Sequence, residues 1–233
     1  MYLVLNNKMF LDVKDMINYR NKLNELKTSN VKLIVCPSYI FIPYFRGDNY
    51  YLGSQDVSSK ESGSFTGEVS SSYLKGFNVK YSLVNHFERG LCFHECKNES
   101  VDKINNLHKC DITPILCITT EEYMDYKSIK EDIDEIYSKI DKDKEIIFAY
   151  ESSRAIREGV ITDFDGLKNT VLFIKEYVKD NYNKDIEVIY GGSVNNENIK
   201  SLINLGCLNG FIMGKNSVYP EKVMEVLMEV ENG

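Results

Sequence analysis

A lysine, a histidine and a glutamate stand at the ends of three separate apolar runs. Lys8 follows Tyr2-Leu3-Val4-Leu5-Asn6, His86 follows Tyr81-Ser82-Leu83-Val84-Asn85, and Glu151 follows Ile146-Ile147-Phe148-Ala149-Tyr150. Two glycine-bearing turns follow two more runs: Gly191-Gly192-Ser193 after Ile186–Tyr190, and Gly214 after Phe211-Ile212-Met213. A proton on carbon beside a carbonyl is only weakly acidic. Moving it needs a desolvated base and an electrophile aimed at the carbonyl oxygen. A carboxylate serves as the base, and an imidazole or a cation as the electrophile. Glycine lets backbone N–H groups approach a dianion closely, and gripping a remote phosphate orients the reacting carbons. The set therefore suits proton transfer on a small anionic carbonyl compound. Singly, each member is ordinary. Loop glutamates are usually solvated, strand-end histidines are often structural, and Gly-Gly-Ser is commonly a plain turn. The weight rests on their joint, ordered occurrence.

These groups converge only if the runs that carry them are parallel neighbours. Eight strand-like runs are legible: Tyr2–Asn6, Lys32–Cys36, Tyr51–Gln55, Tyr81–Asn85, Thr113–Cys117, Ile146–Tyr150, Ile186–Tyr190 and Gly210–Met213. Most are continuously apolar, as expected of parallel strands covered on both faces. Helical spacing of apolar residues appears over Val13–Leu26, Tyr123–Ile140, Phe164–Tyr177 and Val218–Val230. Eight strands alternating with helices predict a single α/β domain over residues 1–233, a closed (β/α)8 TIM barrel. An open doubly wound sheet is the alternative. The Ser- and Gly-rich stretch Val57–Ser72 reads as a surface loop with a helix starting at Ser70–Ser72.

The chain has 233 residues, 43% of them hydrophobic, and a formal net charge of -7. That length suffices for a full core. An acidic chain repels phosphate backbones and anionic bilayers, so neither nucleic acid nor membrane is an expected partner. An anionic substrate then needs a local positive pocket. The amino-terminal residues carry no basic region and no long apolar stretch, which argues against a signal peptide or a membrane span. Six scattered cysteines suit buried thiols in the cytoplasm.

Five segments occur in order: Asn6-Asn7-Lys8, Gly63-Ser64-Phe65-Thr66-Gly67-Glu68, His86-Phe87-Glu88-Arg89, Tyr150-Glu151 and Tyr190-Gly191-Gly192-Ser193-Val194. Together they resemble the triosephosphate isomerase family from Asn6 to Gly214. Each segment is weak alone; five in register are not. The resemblance implies the following roles, which belong to the family's well-known chemistry. Glu151 is the base, and His86 is a neutral imidazole that polarises the carbonyl and shuttles protons. Lys8 supplies positive charge, Asn6 orients the site and Glu88 contacts Lys8. Ser193, Gly192 and Gly214 hold the phosphate. The Gly63–Glu68 loop enters a partner subunit of a homodimer and brings Thr66 near the other active site. Arg89 and Glu68 pair at or near that interface. No cofactor is implied.

The departures from the family pattern concentrate at the lid. Where the family usually reads Pro-Val-Trp-Ala-Ile-Gly-Thr-Gly after the base, this chain reads Ser152-Ser153-Arg154-Ala155-Ile156-Arg157-Glu158-Gly159. Arg157 and Lys215 stand where the family has phosphate-side glycines, and both are expected to strengthen anion binding. Arg157's own N–H can serve the phosphate if its φ is not positive. Phe87 replaces a serine that would bond the base when the lid is open. Thr119-Thr120 replaces Gly-Glu after Cys117-Ile118. Three functions are compatible with this pattern: triosephosphate isomerisation, isomerisation of another small sugar phosphate such as a tetrulose phosphate, or a non-catalytic relic that binds a phosphate ligand. Survival of Lys8, His86 and Glu151 favours catalysis. Cys92, His94, Cys96, His108 and Cys110 crowd soft ligands together, but their spacing matches no standard zinc framework, and no metal is expected.

Overall fold

The computed structural model describes residues 1–233. Eight parallel strands close into a barrel in sequence order: β1 (Tyr2–Asn6), β2 (Lys32–Cys36), β3 (Tyr51–Ser54), β4 (Tyr81–Val84), β5 (Thr113–Thr120), β6 (Ile147–Ser152), β7 (Glu187–Tyr190) and β8 (Gly210–Met213). β1 pairs with β8 from Tyr2 opposite Gly210 to Leu5 opposite Met213, so no edge is left open and the doubly wound alternative falls. Around the barrel lie α1 (Val13–Glu25), α2 (Ser71–Gly76), α3 (Phe87–Phe93), α4 (Lys97–Lys109), α5 (Tyr126–Tyr137), α6 (Ser153–Glu158), α7 (Phe164–Tyr182), α8 (Ile199–Ile203) and α9 (Pro220–Asn232). No helix is long and apolar enough to cross a membrane.

Strand parity sorts the core into two bodies. Tyr2 and Val4 of β1, Ile115 and Cys117 of β5, and Ile147 and Ala149 of β6 point inward and pack together inside the barrel. Their sequence neighbours, among them Leu3, Leu5, Leu116, Phe148 and Tyr150, point outward into the larger layer under the helices. The outer layer is tight: Ile129, Ile133 and Ile136 of α5 are all fully buried. Truncating Ile133 to alanine is expected to cost about 2–5 kcal/mol. The inward series continues at the carboxyl ends of the strands, where apolar side chains give way to Asn6, Thr119 and Glu151. Polar groups thus occupy the top layer of the barrel's own packing.

Three features depart from the sequence expectation. α3 and α4 occupy residues 87–93 and 97–109, where no apolar period is visible. On α4 the buried face interleaves Val101, Ile104 and Leu107 with Ser100, Lys103, Asn106 and His108. Those polar groups are tolerated because they are bonded: Lys103 Nζ reaches Asp56 at 2.7 Å and Glu95 at 2.5 Å, and Asn106 donates to the Ser59 carbonyl at 2.9 Å. On α1 the buried stripe is Met16, Tyr19 and Leu23, leaving Val13 and Ile17 exposed. β5 and β6 run further than their apolar cores suggest and stay paired through Thr119 opposite Glu151 and Thr120 opposite Ser152. The start of α2 agrees with expectation, since the Ser70 hydroxyl caps the Tyr73 N–H.

Candidate active site

The end of β1 places the cation. Lys8 has a left-handed backbone, φ 48°, which a non-glycine residue holds only where its surroundings impose it. Three contacts do so. Its N–H donates to Asn6 Oδ1 at 3.2 Å, and its carbonyl accepts from Ser38 Oγ at 2.9 Å and Gln55 Nε2 at 3.0 Å. The side chain is largely buried, and Nζ donates to Glu88 Oε1 at 2.6 Å.

The end of β4 places the imidazole. Asn85, also left-handed at φ 61°, turns the chain so that His86 becomes the N-cap of α3. His86 Nδ1 accepts the backbone N–H of Glu88 at 3.3 Å. A backbone N–H can only donate, so Nδ1 presents its lone pair and the ring N–H available to a substrate is the one at Nε2. That nitrogen lies 3.5 Å from Glu151 Oε1. Phe87, the residue that replaces serine, tilts against the His86 ring with centroids 5.0 Å apart, and Lys8 Nζ stands 5.9 Å from the Phe87 ring centre.

The end of β6 places the carboxylate. Glu151 is the fifth residue of that strand rather than a loop residue, and only 1% of its surface is exposed. Burial raises its affinity for a proton; His86 and Lys8 oppose this, Glu88 adds to it, and the net shift is upward. The Thr119 hydroxyl donates to its other oxygen, Oε2, at a long 3.5 Å. Across the mouth, Gly191 begins the turn after β7. A Cβ there would come within 2.7 Å of Glu151 Oε1, so glycine is what lets the turn approach the carboxylate.

A cavity of about 390 Å³ opens over these groups, lined by Asn6, Lys8, His86, Glu151, Gly191, Ser193, Gly214 and Lys215, with Ile156 and Gly159 contributed by the lid. The volume suits a small metabolite. A larger cavity of about 610 Å³ lies between Pro43–Tyr51 and Gly76–Lys80 and contains none of the candidate groups, so size does not choose the site.

Seven expected site residues line this mouth, Glu88 joins them through Lys8, and the other five lie outside it. Gly192 lies outside the lining: a Cβ on it would fall 2.1 Å from the Tyr190 hydroxyl, because the turn presses down on that ring. Arg157 belongs to α6, and its guanidinium is ion-paired with Glu121 and bonded to Ser153 Oγ at 3.2 Å. The expected second phosphate-side cation is therefore turned away from the cavity. Its φ is not positive; the left-handed turn of the lid falls on Gly159, at φ 76°. Arg89 pairs with Asp56 at 3.1 Å and Glu95 at 3.0 Å inside its own chain, and not with Glu68 there. Thr66 and Glu68 are exposed on their loop. The soft residues of 92–110 do not converge: Cys92, His94 and Cys96 are exposed, and His108 Nε2 sits 3.1 Å from the Glu145 carbonyl. Ser38, Gln55, Thr119 and Glu121 were not singled out from the sequence for any role. For Thr119 the broken Gly-Glu pattern was a signal; Ser38 and Gln55 carry none, since they act through backbone geometry.

A closed (β/α)8 barrel whose mouth gathers a buried carboxylate, an imidazole and a cation is of the class that moves protons beside a carbonyl. Comparison with known proteins narrows the class. The profile of the family described as Triosephosphate isomerase matches residues 1–230. Relatives named triosephosphate isomerase include those of Orientia tsutsugamushi, 30% identical over 98% of this chain and 97% of the relative, Mycoplasma genitalium, 29% over 97% and 96%, and Wigglesworthia glossinidia brevipalpis, 31% over 97% and 93%. The chain belongs to the triosephosphate isomerase family.

Proposed function

We propose that this chain interconverts dihydroxyacetone phosphate and D-glyceraldehyde 3-phosphate, with Glu151 as the base. The carboxylate removes a proton from the carbon beside the carbonyl. The electron pair moves to the carbonyl oxygen, giving an enediolate, and the proton returns to the neighbouring carbon. His86 donates from Nε2 to the developing oxyanion and relays a proton between the two oxygens. Lys8, anchored by Glu88 and Asn6, balances the negative charge. Backbone N–H groups around Gly191, Ser193 and Gly214 take the phosphate, with Lys215 as the cation at that end. The observation that carries this reading is the 3.5 Å approach of Glu151 Oε1 to His86 Nε2 inside the buried mouth. Desolvation there strengthens the carboxylate as a base, which is what a weak carbon acid demands.

The test is a coupled assay with D-glyceraldehyde 3-phosphate beside tetrose and pentose phosphates. Fast turnover of the triose alone is expected. Turnover only of a longer sugar selects a paralogue, and binding without turnover selects a relic.

The same reading extends to the assembly and its setting. The chain acts as one domain and as a homodimer in which the exposed Gly63–Glu68 loop enters its partner. Supporting this, Phe65 at the loop tip is 45% exposed, an apolar plug without a pocket of its own. Sedimentation is expected to show a dimer that dissociates when the loop is shortened; a fully active monomer at micromolar concentration would count against it. A cytoplasmic setting is supported by six cysteines that are all free, Cys36 and Cys117 among the side chains inside the barrel.

A further inference from the structure

Two sets of departures from the family pattern lie far apart in sequence: Thr119-Thr120 after the fifth strand, and Ser152–Arg157 after the base. In the structure they touch along one continuous seam. β5 and β6 remain paired to their last residues, Thr119 opposite Glu151 and Thr120 opposite Ser152. Above the strands the seam continues in side chains. Ser152 Oγ donates to the Glu121 carbonyl at 3.1 Å and accepts the Ala155 N–H at 3.1 Å, which makes it the N-cap of α6. Ser153 Oγ donates to Glu121 Oε2 at 2.9 Å. Arg157 pairs with the other oxygen of Glu121. Arg154 Nη1 pairs with Glu122 at 2.8 Å, while its Nε holds Glu158 one turn further along α6 at 2.9 Å.

We propose that Glu121 and Glu122 form a charged clasp for the lid, in which they are positioning residues that fix α6, and through it Glu151, by pairing with Arg157 and Arg154. The inference rests on the isomerase reading only for what the clasp accomplishes, not for whether it exists.

The physical logic follows from what the lid lacks. A lid with a proline and an aromatic anchor is held by restricted backbone and apolar burial. Here Ser152 occupies the first hinge position and leaves its backbone freer. Arg154 cannot bury its charge in the core. Beyond the small apolar contact of buried Ala155, what holds these six residues against the barrel is charge and hydrogen bonding to the neighbouring strand end. Both cations of α6 face that strand end, and two adjacent carboxylates meet them. The clasp acts on chemistry because α6 begins two residues after Glu151 and its Ile156 helps line the cavity. Releasing α6 loosens the backbone on which the base is mounted. Because the paired side chains are about half exposed, 43% to 59% for Arg154, Arg157, Glu121 and Glu122, the clasp is open to screening by salt. This lid therefore has an ionic-strength dependence that an apolar anchor would not give.

The experiment is a charge swap in the full-length protein, made as Glu121→Arg, Arg157→Glu and the two combined. Each is assayed with D-glyceraldehyde 3-phosphate at low and high salt, and by amide hydrogen exchange of residues 153–159. Each single reversal is expected to lower kcat about fivefold or more at low salt, with KM changed less, and to speed exchange of the lid. The combined swap is expected to recover kcat and lid protection to within about twofold. Gln replacement of both Glu121 and Glu122 is expected to flatten the salt dependence of kcat. Reversals that leave lid exchange unchanged, or a folded swap that recovers neither property, overturn the clasp. If the wild-type protein turns over no triose phosphate, the isomerase reading fails by itself, and hydrogen exchange alone still decides whether the clasp exists.

Discussion

The inner mouth of the barrel and the lid seam above it are built on opposite principles. In the mouth, Lys8, His86 and Glu151 are largely or wholly buried, and each is fixed by backbone it cannot leave: a left-handed residue, an N-cap, an inward position on a strand. In the seam, Arg154, Arg157, Glu121 and Glu122 are half-exposed and held by one another. The contrast separates what the chemistry tolerates. Proton transfer depends on sub-ångström placement, and the groups proposed for it sit on the rigid ends of β1, β4 and β6. A lid needs only to be held and released, so a set of individually weak contacts suffices there.

The sharpest way to test the mouth is Glu151→Gln. The amide keeps the shape and removes the proposed base, so kcat is expected to fall on the order of 10²–10⁴-fold with KM little changed. Retention of most of the activity would remove Glu151 from the base role. The same variant reads out stability. Burial raises the folded-state pKa of this carboxyl above its unfolded value. The folded state therefore binds the proton more tightly, and this group's contribution to stability is full below the unfolded pKa and lost as pH rises through the folded one. Glu151→Gln has no such loss, so at neutral pH it is expected to melt above wild type, by about 2–4 °C for each kcal/mol recovered. A lower Tm would contradict the desolvation argument. In wild type, the acid limb of kcat/KM is expected above about pH 4.3, the ordinary glutamate value, since the base must be ionised to act.

A second test touches the mouth's scaffold and not its reacting groups. Gln55 Nε2 donates to the carbonyls of Lys8 and Cys36, at 3.0 Å each. Gln55→Leu leaves both acceptors without that donor. It is expected to cost about 1–3 kcal/mol of stability and to lower kcat/KM roughly tenfold as the left-handed turn at Lys8 relaxes. Denaturant unfolding and steady-state kinetics check the two halves separately. Unchanged kinetics with lowered stability would make Gln55 a structural residue only.

The two regions also differ in how much of them could be read from the chain. Strand order and the inward convergence of Lys8, His86 and Glu151 were legible because parallel strands carry continuous apolar runs, and a polar residue ending such a run stands out. Helix α4 was not legible, because Lys103, Asn106 and His108 share its buried face and break the apolar period; Asp56, Ser59 and Glu145, which bond them, are distant in sequence. Ser38 and Gln55 were silent for a related reason, since a side chain that bonds a backbone carbonyl leaves no pattern. The pairing of Arg157 is not legible, because its partner, Glu121, follows a different strand.

That difference yields the finest test of the contrast, because Arg157 and Lys215 look alike in sequence and sit in different regions. Lys215 is exposed at the cavity and takes no ion-pair partner within the chain, whereas Arg157 is spent on Glu121. A free cation beside the phosphate end acts on binding; a paired cation in the clasp acts on the lid. Lys215→Gly is expected to raise KM about two- to fivefold at low salt, with kcat held and the difference fading as salt rises. Arg157→Gly is expected to do the reverse, lowering kcat by a similar factor with little change in KM. Kinetics of the two single variants at two salt concentrations separate the cases. If both variants shift KM alone, Arg157 reaches the phosphate when substrate is bound, and the clasp gives way to a second anion contact. If neither moves either constant, both side chains are solvated bystanders, and the phosphate is held by backbone N–H groups alone.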